Sequence, residues 1–175
     1  IRDSATSNSQ IETIDLRTTI NKNKWSEKIE NADSILICFP LYADHVPGVL
    51  KEFIEKLGHN SLIAKKLGWF CHCGFPESIH LEVVERYLIK TSGRLGADLT
   101  GVIKKGGSEG LRLMPDKMNK KFFNDLYLFG NDLADENPFD KKRAEKLTRI
   151  RKYSAVSIIL MHTLNFFGLT NFYWN

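Results

Sequence analysis

Cys71-His72-Cys73 is the densest run of side chains able to ligate or react, since residues two apart on a strand face the same way and two thiolates could share an ion. Zinc would need further ligands from remote positions such as Cys38, His45 or His80, so we expect buried structural cysteines and no metal. Two aromatic residues stand where apolar runs end: Tyr42, shortly after Pro40-Leu41, and Phe75, between Gly74 and Pro76. Large aromatic faces at strand tips suit a flat ligand, although each could equally be a rim or turn residue. A lone loop histidine, His45, either hydrogen-bonds a ligand or faces solvent.

These residues need a scaffold that brings the tips together. Ser34 to Phe39 and Leu67 to Cys73 are continuous apolar runs, the pattern of strands buried on both faces of a parallel sheet. Ile11 to Leu16 alternates apolar and polar residues, which predicts an edge strand covered on one face. Leu99 to Ile103 predicts a further strand, closing on Gly106-Gly107. Between them, Trp25, Ile29 and Ala32 fall at helical spacing. Leu50, Phe53, Ile54 and Leu57 do the same behind Pro47, with Gly58 as the expected cap. A third helix is expected from about Glu77, with His80, Val83, Val84, Tyr87, Leu88 and Thr91 on one face and Gly93 near its end. Strands alternating with helices over short connections predict an α/β fold with an open parallel sheet and helices on both faces. Ligands of such sheets bind outside the carboxyl ends of the strands, so loops 40–46, 74–78 and 104–111 should share one rim.

Residues 113–175 read as a helical C-terminal extension that packs on the α/β domain of residues 1–112 or on a partner. Lys141 to Lys152 holds seven Lys or Arg and one Glu, which accounts for the whole +4 formal charge. Val156 to Leu169 is the most apolar stretch. It is shorter than the roughly twenty residues a span requires and carries His162 and Asn165, so spanning a bilayer is the weakest reading. Packing or homodimerisation is expected first, and a membrane surface reached through residues 141–175 second. No zinc-finger spacing or stacking-aromatic motif supports nucleic-acid binding. Three cysteines, an odd number, argue against a disulfide framework, and the polar residues after Ile1 do not form a secretory signal, so cytoplasmic residence is the expectation.

Ala32-Asp33-Ser34-Ile35-Leu36-Ile37-Cys38-Phe39-Pro40-Leu41-Tyr42, followed by Val46-Pro47-Gly48-Val49-Leu50-Lys51-Glu52-Phe53-Ile54, resembles the flavodoxin-like family of NAD(P)H-dependent FMN oxidoreductases. Gly74-Phe75-Pro76-Glu77-Ser78 resembles that family's second ring-contacting loop, and Gly106-Gly107-Ser108-Glu109-Gly110 its next glycine-rich strand end. The resemblance covers roughly residues 11 to 115. It implies FMN and NADPH or NADH as cofactors and a small-molecule electron acceptor such as a quinone, nitro compound or flavin. The cofactor-binding residues it implies are Pro40, Leu41, Tyr42, Ala43, His45, Gly74, Phe75, Pro76, Glu77, Gly106 and Gly107. Hydride passes directly from nicotinamide to flavin, so no catalytic side chain is nominated.

The resemblance also implies a strand order of 2-1-3-4-5, with a first strand and phosphate loop ahead of Ile11, where ten residues stand that read as a helix tail and polar linker. We expect that strand to come from upstream or from another copy. Two other readings remain at this point. One is a flavodoxin-like electron carrier, which would usually present an acidic surface; the other is a cofactor-free binding module that associates with membranes.

Overall fold

The computed structural model describes residues 10–17, 23–42, 45–134, 140–148 and 152–168. The expected helix tail and linker over residues 1–10 therefore lies almost wholly outside them.

Three parallel strands, β1 (Ser34–Pro40), β2 (Lys66–His72) and β3 (Asp98–Lys105), form a sheet in the order β1-β2-β3. Helices α2 (Gly48–Leu57) and α3 (Glu82–Leu95) cross between them, and α1 (Asn23–Glu30) precedes β1. Pro40 pairs with His72, and His72 with Lys105, so all three strands end at one rim. Thr100 is the extra residue where the β2–β3 register shifts, and its hydroxyl donates to the Leu67 carbonyl at 3.0 Å.

The sheet is apolar on both faces because helices cover both. On one, Ile37, Phe39, Leu67, Trp69 and Cys71 pack with Trp25 and Ile29 of α1, Leu50, Phe53 and Ile54 of α2, and Val84, Leu88 and Leu95 of α3. On the other, Leu36, Phe70 and Ile103 meet α5 (Asp116–Ala134) and α6 (Lys141–Thr148) through Phe122, Phe129, Ala144 and Leu147. A short helix, α4 (Gly110–Leu113), leads into α5, and the buried Asn119 amide donates to the Leu111 and Met114 carbonyls at 2.6 and 3.3 Å. This is the flavodoxin-like α/β architecture, with helices continuing through the C-terminal region to α7 (Ala155–Phe166).

Three expectations are corrected. Ile11 to Leu16 is not a strand. Its alternation does report a buried face, since Ile14 and Leu16 pack on the core and Glu12 pairs with Lys28, but alternation carries no information about a ladder partner. Secondly, β1 is an edge rather than a central strand among the described residues, and Cys38 on it is exposed. The third helix opens with a 3-10 turn over Ser78–Leu81, has Gly93 near its end and a left-handed cap at Gly96 with φ 73°, and differs from the expectation in its face. Its buried face runs Val84, Leu88, Thr91 and Leu95, while His80 and Val83 face outward. None of the residues of α7 is buried.

Candidate functional site

The rim at the carboxyl ends of the strands is built from the first residues after each strand. After β1, the Leu41 amide donates to the His72 carbonyl at 2.6 Å, which extends the pairing by one residue and ties this loop to β2. Leu41 itself is buried in the core, so its side chain forms the floor. The chain then turns tightly, with Tyr42 bridged to His45 and the His45 amide 3.4 Å from the Tyr42 carbonyl. Tyr42 is left 70% exposed. Ala43 lies outside the described residues.

After β2, the Cys73 amide donates to the Lys105 carbonyl at 3.0 Å, and the chain bends over Gly74-Phe75-Pro76. Phe75 is 60% exposed, with its ring centroid 4.8 Å from that of His80. Both predicted aromatic residues thus present open faces, one on each of two adjacent loops at the same end of the sheet. His45 stands beside the first loop, its ring 5.6 Å from Tyr87, over a shallow cleft of about 80 Å³ lined by Val46, Val83, Val84 and Tyr87.

Gly106 and Gly107 support the second loop from beneath. The Gly107 amide donates to the Phe75 carbonyl at 2.6 Å and the Ser108 amide to the Cys73 carbonyl at 3.0 Å. A Cβ on Gly106 would sit 2.6 Å from the Pro76 carbonyl oxygen and 3.0 Å from the Ser78 nitrogen, so only glycine lets the two strand ends lie this close. Gly74 has a different neighbour: the space its missing Cβ leaves is filled by the Glu109 carboxylate, 2.9 to 3.1 Å away. Glu77 turns toward the C-terminal region, where its carboxylate accepts from the Tyr153 amide at 2.6 Å.

One part of the rim was not foreseen. His72 Nδ1 lies 2.9 Å from Ser108 Oγ, and that hydroxyl donates to the Cys73 carbonyl at 2.9 Å. With the serine hydrogen committed to the carbonyl, the imidazole must carry its proton on Nδ1 and donate it to Ser108. Burial, and secondarily the Lys105 ammonium on the next strand, hold His72 below the ordinary histidine value of 6.5. Lys105 is itself buried; its ammonium donates to the Gly106 carbonyl and lies 5.3 Å from the centroid of the Phe122 ring. The sequence places His72 and Ser108 thirty-six residues apart, and only the β2–β3 register brings them together.

The thiols of Cys71 and Cys73 are buried and donate to the Ile103 and Phe75 carbonyls at 3.4 and 3.5 Å. Burial pushes the Cys71 thiol up to about 12 and raises that of Cys73. Among the described residues no three His, Cys, Asp or Glu side chains gather where a metal ion could bind.

Residues 8–89, which supply β1, β2 and the two aromatic loops, match the family model described as NADPH-dependent FMN reductase. That stretch is similar to the FMN reductase family. The family is one of flavin-dependent oxidoreductases that use FMN and a nicotinamide cofactor. No curated protein sequence matches the chain. In solved structures, the chain is similar to the Trp repressor binding protein from Bacillus subtilis, with 16% identity, 87% of each chain covered and a TM-score of 0.54. It is also similar to a thermophilic tryptophan halogenase from Streptomycin violaceusniger, with 21% identity, 61% of this chain and 76% of that chain covered, and a TM-score of 0.52. Both likenesses concern the fold. A third similar structure is general stress protein 14 from Treponema denticola in complex with FMN, with 22% identity and a TM-score of 0.45; the match covers 54% of this chain and spans 64% of that one.

Proposed function

We propose that this chain is an FMN-dependent oxidoreductase that receives hydride from NADPH or NADH and passes electrons to a small acceptor, such as a quinone, a nitro compound or a free flavin. The observation that carries this reading is the pairing of two exposed aromatic side chains, Tyr42 and Phe75, on adjacent rim loops within the FMN reductase stretch. The residues present fit a flat, partly polar ring system. Tyr42 and Phe75 offer apolar faces, Leu41 a closed floor, and the backbone around Gly74 and Pro76 a surface without bulky side chains. FMN, when bound, supplies the hydride-accepting chemistry.

The chain's own residues hold and orient the ring. Pro40, Leu41, Tyr42 and His45 form one wall, and Gly74, Phe75, Pro76 and Glu77 the other. Gly106 and Gly107 set the height of the second wall through the Gly107 to Phe75 hydrogen bond. A neutral His72, locked to Ser108, keeps a second positive charge away from Lys105 beneath that wall. No side chain is assigned a proton-transfer role. The three free cysteines support a reducing compartment as the place of work.

Anaerobic addition of NADPH to the flavin-loaded protein tests this reading. Bleaching of the flavin absorbance, and its return when a quinone or nitro compound is added, is the expected result. A flavin spectrum that neither NADPH nor NADH alters would refute it.

A further inference from the structure

Helix α7 carries apolar residues on every side, with Ser157, His162, Thr163 and Asn165 scattered among them and gathered on no single face. Val156, Ile158, Ile159, Leu160 and Met161 point in five different directions round the axis, and they are 38% to 75% exposed; Phe166 and Phe167 beyond them are 85% and 68% exposed. A helix with no polar face needs an apolar surround rather than water. The elements beside it in sequence carry the opposite chemistry. Lys117, Lys120 and Lys121 of α5, Lys142 and Lys146 of α6, and Lys152 just before α7 all face outward, among the acidic Asp116, Asp125, Asp140 and Glu145. Exposed Met118, Phe123 and Tyr127 lie on the same α5.

We infer that the α5–α7 region docks on an anionic lipid surface, with the lysines on the headgroups and α7 inserted among the acyl chains. The shape of α7 selects this occupant over a second copy of the chain. A partner helix covers one stripe of a helix, leaving the remaining apolar sides of α7 wet, and a second copy would bring an equally basic region alongside. Lipid covers every side and supplies the counter-charge. The twelve residues of α7 rise about 18 Å, less than the roughly 30 Å hydrocarbon core, so the helix enters one leaflet. No described helix is long and apolar enough to cross a membrane. The inference does not depend on the flavin reading, since lipid binding is measured with or without bound flavin.

Flotation of the full chain with vesicles of phosphatidylcholine alone, and with about one third phosphatidylglycerol, separates lipid binding from aggregation because aggregates do not float. The chain should float with the anionic vesicles at least roughly tenfold more than with the neutral ones, and about 0.5 M salt should weaken the preference. Ile159→Asp with Leu160→Asp, at exposed positions that leave the core untouched, should abolish flotation on both. Lys142→Glu with Lys146→Glu should erase the preference for anionic lipid. Equal flotation on the two vesicles, or none, overturns the inference. So does a stable dimer in sedimentation velocity that the α7 double variant dissociates while neither protein floats, a result that would assign α7 to a second copy.

Discussion

Tyr42 and Gly106 have opposite duties at the rim, and their substitutions should separate by readout. Tyr42 contributes an exposed face, so Tyr42→Ala should raise the FMN dissociation constant by roughly tenfold, about 1.4 kcal/mol, with the unfolding midpoint unchanged. Gly106→Ala forces a methyl against the Pro76 carbonyl, so it should lift the 74–78 loop, weaken flavin retention and cost about 1 to 3 kcal/mol of stability in urea unfolding. Gly74→Ala is the contrasting case. Its new methyl meets only the movable end of Glu109, and both measurements should change little.

His72 makes a pH prediction whose sign follows from its depressed folded-state value. Between that value and about 6.5 the unfolded chain binds the proton that the folded chain refuses, so folding stability is complete above that window and falls as the pH drops through it. Denaturant midpoints measured from pH 7.5 downward should decline in the wild type. In His72→Gln, where the amide can still donate to Ser108, that decline should be shallower.

At the scale of elements, β2 and α3 are held together by one buried polar relay. The Trp69 indole donates to Ser92 Oγ at 2.9 Å, and that hydroxyl donates to the Leu88 carbonyl at 2.9 Å, all of it inside the apolar core. Ser92→Ala removes the acceptor and leaves a fully buried N–H without a partner, so about 1 to 3 kcal/mol of stability should be lost, read from equilibrium unfolding by tryptophan fluorescence. The half-buried Lys104–Glu85 pair at 2.5 Å ties β3 to the same helix, so α3 is anchored to both neighbouring strands by polar contacts as well as packing. Beneath the second rim loop, the tight glycine contacts require β2 and β3 to stay in register, which this anchoring provides.

For the whole molecule, the sheet has an asymmetric profile: β2 is paired on both sides, whereas β1 is paired only on its β2 side among the described residues. Hydrogen exchange should therefore be slowest along Leu67 to Cys71, while those β1 amides that point away from β2 exchange markedly faster. Comparable protection at every β1 amide would show that another strand lies along that edge, as the family's strand order implies. Exposed lysines of α5 and α6 lie on the helical layer that leads to α7. The Tyr153 to Glu77 hydrogen bond joins the start of α7 to the second rim loop.

The order of strands and helices was legible in the sequence because each run carries its own period: continuous apolarity for β1 and β2, and recurrence at three and four residues for α2. The rim loops were legible as well, since Pro40-Leu41-Tyr42 and Gly74-Phe75-Pro76 end apolar runs with residues that stop strands. Local pattern reports what a segment buries and says nothing of what lies beside it. Ile11 to Leu16 therefore read as a strand although it only packs, and the apolar run of α7 did not reveal that none of its residues is buried. The His72–Ser108 hydrogen bond, the carboxylate beside Gly74 and the close approach that makes Gly106 indispensable were decided by the tertiary structure alone. Each depends on strand register, which sets distances between residues that the sequence holds far apart.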